Sequence, residues 1–87
     1  MEYVFVIFPT PRPVDMDVQP WGTTGEILEV RPGHHTFDLG APADYTPIFQ
    51  NVLVAGTTPT EPLHVLFQPA AAAIRAVTAT SGTVTGG

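Results

Sequence analysis

Tyr3-Val4-Phe5-Val6-Ile7-Phe8-Pro9-Thr10-Pro11-Arg12-Pro13-Val14-Asp15-Met16-Asp17-Val18 is the stretch that decides the fold. Tyr3 to Phe8 is aromatic or β-branched throughout, a composition that suits a pleated strand. Six consecutive apolar residues leave neither face of that strand polar, so it is either central and covered or meets a partner. Pro9, Pro11 and Pro13 then hold the chain extended and bar it from the middle of a sheet. From Val14 to Val18 the pattern alternates, with Val14, Met16 and Val18 on one face and Asp15 and Asp17 on the other. That alternation predicts a half-buried strand.

The same grammar continues outward. Gln19 to Gly25 (QPWGTTG) reads as a turn and Glu26 to Val30 (EILEV) as a strand. Arg31-Pro32-Gly33-His34 places Pro and Gly at the centre of a type II turn. His34 to Leu39 alternates again, with His35, Phe37 and Leu39 on one face. Gly40 to Pro47 reads as a loop, Ile48 to Ala55 as a strand, Gly56 to Pro62 as a turn, and Leu63 to Phe67 as a strand. Short strands between Pro/Gly punctuation at this spacing predict an all-β protein, a small antiparallel β-sandwich of six or seven strands. Residues 1–68 form the predicted domain. Residues 69–87 differ in composition: Ala70 to Val77 suits two helical turns, and Thr78 to Gly87 reads as a flexible tail or arm. The tripeptide Gly-Thr-Thr occurs twice, at Gly22 and at Gly56.

Composition narrows function. The 87 residues include 10 Pro, 8 Asp+Glu, three cations (Arg12, Arg31 and Arg75, no Lys) and no Cys, for a net charge of −5. Phosphate neutralisation needs clustered Lys/Arg, so no nucleic-acid partner is expected. Disulfides and thiolate metal sites are excluded outright. Charged residues are 13% of the chain, about half the usual share, which points to surfaces buried against protein. The apolar N-terminus lacks a basic n-region and stops at Pro9, so no signal peptide or membrane insertion is expected. As written the chain reads as cytoplasmic; cell surface or envelope applies if it is processed or part of a larger protein.

From Val14 to Phe67 the order of motifs resembles the PEGA domain, a small all-β module of bacterial surface and envelope proteins. Val14-Asp15-Met16-Asp17-Val18 resembles its first strand, and Gly22-Thr23-Thr24 its Thr-rich turn. Leu28 through Arg31-Pro32-Gly33-His34-His35-Thr36-Phe37 looks like its strand, P-G turn and strand, and Asp44-Tyr45-Thr46-Pro47 is similar to its aromatic loop. The P-E-G-A tetrapeptide itself is absent; Pro11-Arg12-Pro13-Val14 stands in its place. The resemblance implies an immunoglobulin-like or prealbumin-like sandwich and a non-catalytic binding or spacer module.

Few residues carry site chemistry. His34, His35 and His64 are the only imidazoles, and neighbours on a strand point to opposite faces; a zinc site would need one of the pair with His64 and Asp38 or Glu61. Asp15 and Asp17, on one face about 7 Å apart from the strand rise, read as a solvated pair rather than a calcium or acid–base site. Nucleophile and phosphate-loop motifs are missing. No cofactor and no catalysis are expected. Trp21 and Tyr45, both beside Pro or Gly, are candidates to stack on a sugar ring or proline-rich peptide. Tyr3, Phe5 and Ile7 are candidates to meet a protein partner, or a donated arm if the first strand has an open edge. The expected function is therefore protein–protein association. A subunit of a self-assembling filament, sheath or shell is the alternative, with a carbohydrate-binding module behind it.

Overall fold

The computed structural model describes residues 1–70 and is all-β, with nine strands in three sheets. The strands are β1 (Glu2–Ile7), β2 (Pro13–Met16), β3 (Gln19–Thr23), β4 (Ile27–Val30), β5 (Gly33–Asp38), β6 (Tyr45–Thr46), β7 (Gln50–Val54), β8 (Leu63–Leu66) and β9 (Gln68–Pro69). One sheet has the order β4-β1-β8, the other β3-β2-β5-β7, and β6 pairs with β9 as a short clasp. The apolar first strand is thus central, flanked on both sides. It has no open edge for a donated arm.

Val4, Val6, Leu28, Val30 and Val65 from the first sheet meet Val14, Met16, Phe37 and Val54 from the second in one core, with Leu39, Tyr45 and Phe67 completing it. Each fully buried side chain of this kind contributes about 1.5–3 kcal/mol. The alternation Val14/Met16 and Phe37/Leu39 is what points them inward.

Four features depart from the sequence reading. The sandwich is not wholly antiparallel, because β8 runs parallel to β1, with Phe5 opposite His64 and Ile7 opposite Leu66. Parallel pairing requires a long crossover, and the excursion from β1 through the second sheet supplies it. Second, β2 ends at Met16. Asp17 and Val18 form a two-residue hairpin turn with φ of 52° and 69°, the left-handed geometry that matches strand twist. Val18 keeps the apolar alternation but lies 85% exposed. Third, the Gln19–Gly25 segment is largely strand β3, in which Pro20 is tolerated because β3 is an edge. Fourth, chain order extends past residue 68: the Ala70 amide donates to the Asp44 carbonyl (2.9 Å) beside the β6–β9 clasp. The expected helix and arm lie, from residue 71 onward, outside the described residues.

Both Gly-Thr-Thr motifs secure the ends of β1. The Thr24 hydroxyl accepts from the Arg12 amide (3.0 Å) and donates to the Thr10 carbonyl (3.2 Å), while the Gly25 amide donates to the Val6 carbonyl (3.0 Å). At the other end the Thr57 hydroxyl accepts from the Tyr3 amide (2.7 Å) and donates to Glu2 Oε1 (2.5 Å). The Thr57 hydroxyl and then the Thr57 amide (2.8 Å), both donating to Glu2 Oε1, lower the Glu2 pKa.

Candidate functional site: the outer face of the first sheet

Alternation along β1 sends Val4 and Val6 into the core and Tyr3, Phe5 and Ile7 to the opposite face of the sheet. There they are half-buried and stand apart from the core cluster. Register adds their neighbours. Glu29 and Ile27 of β4 lie opposite Tyr3 and Phe5, and His64 and Leu66 of β8 lie opposite Phe5 and Ile7. Ile27 is 45% exposed and Leu66 49% exposed. The His64 ring packs on Phe5 with 5.9 Å between centroids. The result is an apolar row five side chains strong, with a carboxylate on its β4 flank and an imidazole on its β8 flank.

The other candidates fall elsewhere. Tyr45 is buried, and its hydroxyl accepts from the Leu39 amide (3.1 Å) and donates to the Gly40 carbonyl (3.0 Å). Its ring meets Phe67 edge-on at 5.5 Å. A buried ring presents no face to a sugar, so Trp21 and Tyr45 form no stacking platform. Trp21 is the extra residue of a bulge in β3: Val14 pairs with Gly22 and Asp15 with Pro20. The bulge aims the indole across the sandwich, where its N–H donates to the Glu29 carbonyl (2.8 Å) and ties β3 to β4. A Cβ on Gly22 beside it would run into Leu28 Cδ2, so a larger residue there has to displace that methyl.

His34 and His64 are exposed on different sheets, whereas His35 is engaged. Its two ring nitrogens lie 2.6 Å from Asp17 Oδ2 and 2.7 Å from the Arg31 carbonyl. Both partners are acceptors, so the protonated ring, with an N–H on each nitrogen, satisfies both contacts and the neutral ring only one. The Asp17 hydrogen bond accordingly raises the His35 pKa above 6.5, and the same bond lowers that of Asp17 below 3.8. Asp17 Oδ1 also accepts from the Thr36 amide (2.9 Å), pinning the left-handed turn to β5. Asp15 and Asp17 therefore do not share a strand face. Asp15 instead faces Asp38 across the β2–β5 ladder, and its pKa is raised by desolvation and then by that neighbouring charge.

Arg12, which sequence reasoning counted only as a cation, is a structural hub. Its side chain is 13% exposed, bonded to Asp44 Oδ1 (2.7 Å) and the Pro42 carbonyl (2.9 Å). Its guanidinium carbon sits 5.5 Å from the Phe8 ring centre and 5.4 Å from that of Tyr45. The Pro-alternating run around it was the available signal: an arginine flanked by prolines is held extended, with its side chain committed to one direction.

Among the described residues there is no surface pocket, no cluster of three metal-ligating side chains, and no helix long and apolar enough to cross a membrane. No protein-family model, curated protein or solved structure matches the chain.

Proposed function

We propose that this chain is a non-catalytic structural module, PEGA-like in its order of strands and turns, that mediates protein–protein association through the outer face of the β4-β1-β8 sheet. One observation carries the reading. Tyr3, Phe5 and Ile7 lie in a row on a central strand, outside the core, with exposed Ile27 and Leu66 beside them. Contiguous apolar surface of this kind marks an interaction site.

A second copy fits it in charge. Sheets packed face to face keep their strands nearly aligned, about 10 Å apart. A two-fold axis along β1 would lay the β4 flank of one copy over the β8 flank of the other, bringing Glu29 toward the partner's imidazole flank. The contact is then self-complementary. Sedimentation velocity over a concentration series tests it. Wild type should associate, and Phe5→Glu or the more exposed Ile27→Glu should weaken association at least tenfold while circular dichroism stays unchanged. Association indifferent to both substitutions would overturn this use of the face.

A further inference from the structure

A second surface stands out when the four edges of the two larger sheets are compared. β3 carries Pro20 and a bulge, and β4 carries Glu29, whose carbonyl is already bonded to Trp21. β8 is four residues long, and its Leu66 carbonyl accepts from Gln50 Nε2 (2.6 Å). Proline, bulges, charges, short length and covered carbonyls are the devices by which proteins close an edge to further pairing. β7 has none of them. It lies within sixteen consecutive residues, Tyr45 to Thr60, that hold no charge. Among the described residues, three of the eight large apolar side chains left exposed sit on or just before it: Ile48 (63%), Phe49 (56%) and Leu53 (58%).

We infer that β7 pairs antiparallel with β7 of a second copy across a two-fold axis at Val52, joining two four-stranded sheets into one. Charge selects this occupant. The chain carries −5 overall, yet β7 offers no carboxylate to a cationic strand and would strand any charge brought against it. The strand that fits is uncharged, and β7, with Val52, Leu53 and Val54 after the neutral amides Gln50 and Asn51, is such a strand. Centring on Val52, the middle of Gln50–Val54, pairs all five residues: Val52 with Val52 of the partner subunit, Asn51 with Leu53 of the partner subunit, and Gln50 with Val54 of the partner subunit. The contact deepens the association reading and is separate from the outer face of the first sheet. Two different two-fold contacts on one chain carry assembly beyond the dimer.

The register makes the test specific. Asn51 and Leu53 are both exposed, so charges there leave the core alone. In a Phe5→Glu background, which disables the first contact, the chain should form dimers and nothing larger. Adding Asn51→Lys with Leu53→Lys sets like charges opposite one another twice and should raise the dimer dissociation constant at least tenfold. Asn51→Glu with Leu53→Lys sets opposite charges across the axis and should restore the dimer. A Phe5→Glu chain that is monomeric throughout, beside a wild type that dimerises, would overturn β7 pairing and leave the first face standing. A monomeric wild type would overturn both. A dimer indifferent to both charge pairs would overturn β7 pairing in this register.

Discussion

Replacing Arg12 with alanine is expected to destabilise the fold by about 3–4 kcal/mol, far more than replacing its ion-pair partner. The Arg12–Asp44 pair is 2.7 Å long, but Asp44 is 52% exposed. An ion pair so open to water contributes roughly 0.2–1 kcal/mol. The rest of the Arg12 environment is drier. Its charge-assisted bond to the Pro42 carbonyl, at 2.9 Å, contributes about 1.5–3 kcal/mol. Contacts with the faces of Phe8 and Tyr45, at 5.5 and 5.4 Å, add about 0.5–2 kcal/mol each. Part of the sum returns when water reaches the vacated carbonyl, which leaves the value above. Urea unfolding of wild type, Arg12→Ala, Asp44→Ala and the double variant measures it. The Arg12–Asp44 coupling should stay below about 1 kcal/mol. If Arg12→Ala costs no more than Asp44→Ala, the guanidinium is a surface charge, and its role in holding the 39–47 loop against β1 is wrong.

Three further outcomes follow from the geometry. The His35–Asp17 clasp should make stability greatest at mildly acidic pH. Its His35 part is whole below about pH 6.5 and is lost as pH rises through the raised folded value; its Asp17 part is whole above about pH 3.8 and is lost as pH falls through the lowered one. His35→Gln should flatten the alkaline loss in urea midpoints taken across this range, and an unchanged profile would remove the clasp. Asp15→Asn should stabilise the protein at neutral pH by about 0.2–1 kcal/mol by relieving the Asp15–Asp38 pair. Because the Asp15 pKa is raised, that gain should vanish below about pH 3.8, where the carboxyl is already neutral. Gly22→Ala should cost about 1–3 kcal/mol through its collision with Leu28, and Leu28→Val in the same chain should recover part of it; equal losses with and without Leu28→Val would place the strain elsewhere.

The all-β architecture was legible because its signals are local. Proline and glycine mark most strand limits, and the period-two alternation of Val14/Met16 and Phe37/Leu39 names core residues directly. The uninterrupted apolar run of β1 left two readings, a central strand covered on both faces or a strand meeting a partner; the strand is central in its sheet, with Val4 and Val6 in the core and Tyr3, Phe5 and Ile7 half-buried on the other face. What escaped was set by contacts distant in sequence. The parallel β1–β8 pairing joins residues about sixty positions apart, beyond any local pattern. Val18 preserved the alternation and so concealed a hairpin turn whose left-handed geometry rests on Asp17 bonds to His35 and Thr36. Trp21 looked like a turn aromatic because Pro20 and Gly22 flank it, yet those residues belong to a bulged edge strand. Tyr45 sat in a Pro-rich loop, where aromatic exposure and aromatic closure of a core look alike; its hydroxyl bonds to Leu39 and Gly40 show closure. Of the candidate site, Tyr3, Phe5 and Ile7 were readable from strand period alone. Their flanking residues Ile27, Glu29, His64 and Leu66 required the register.

The most direct test of the outer face as an association surface is sedimentation velocity of wild type beside Phe5→Glu across a wide concentration range. Wild type should sediment faster as concentration rises and pass beyond the dimer, whereas Phe5→Glu should stop at the dimer. Identical sedimentation of the two chains at every concentration would contradict it.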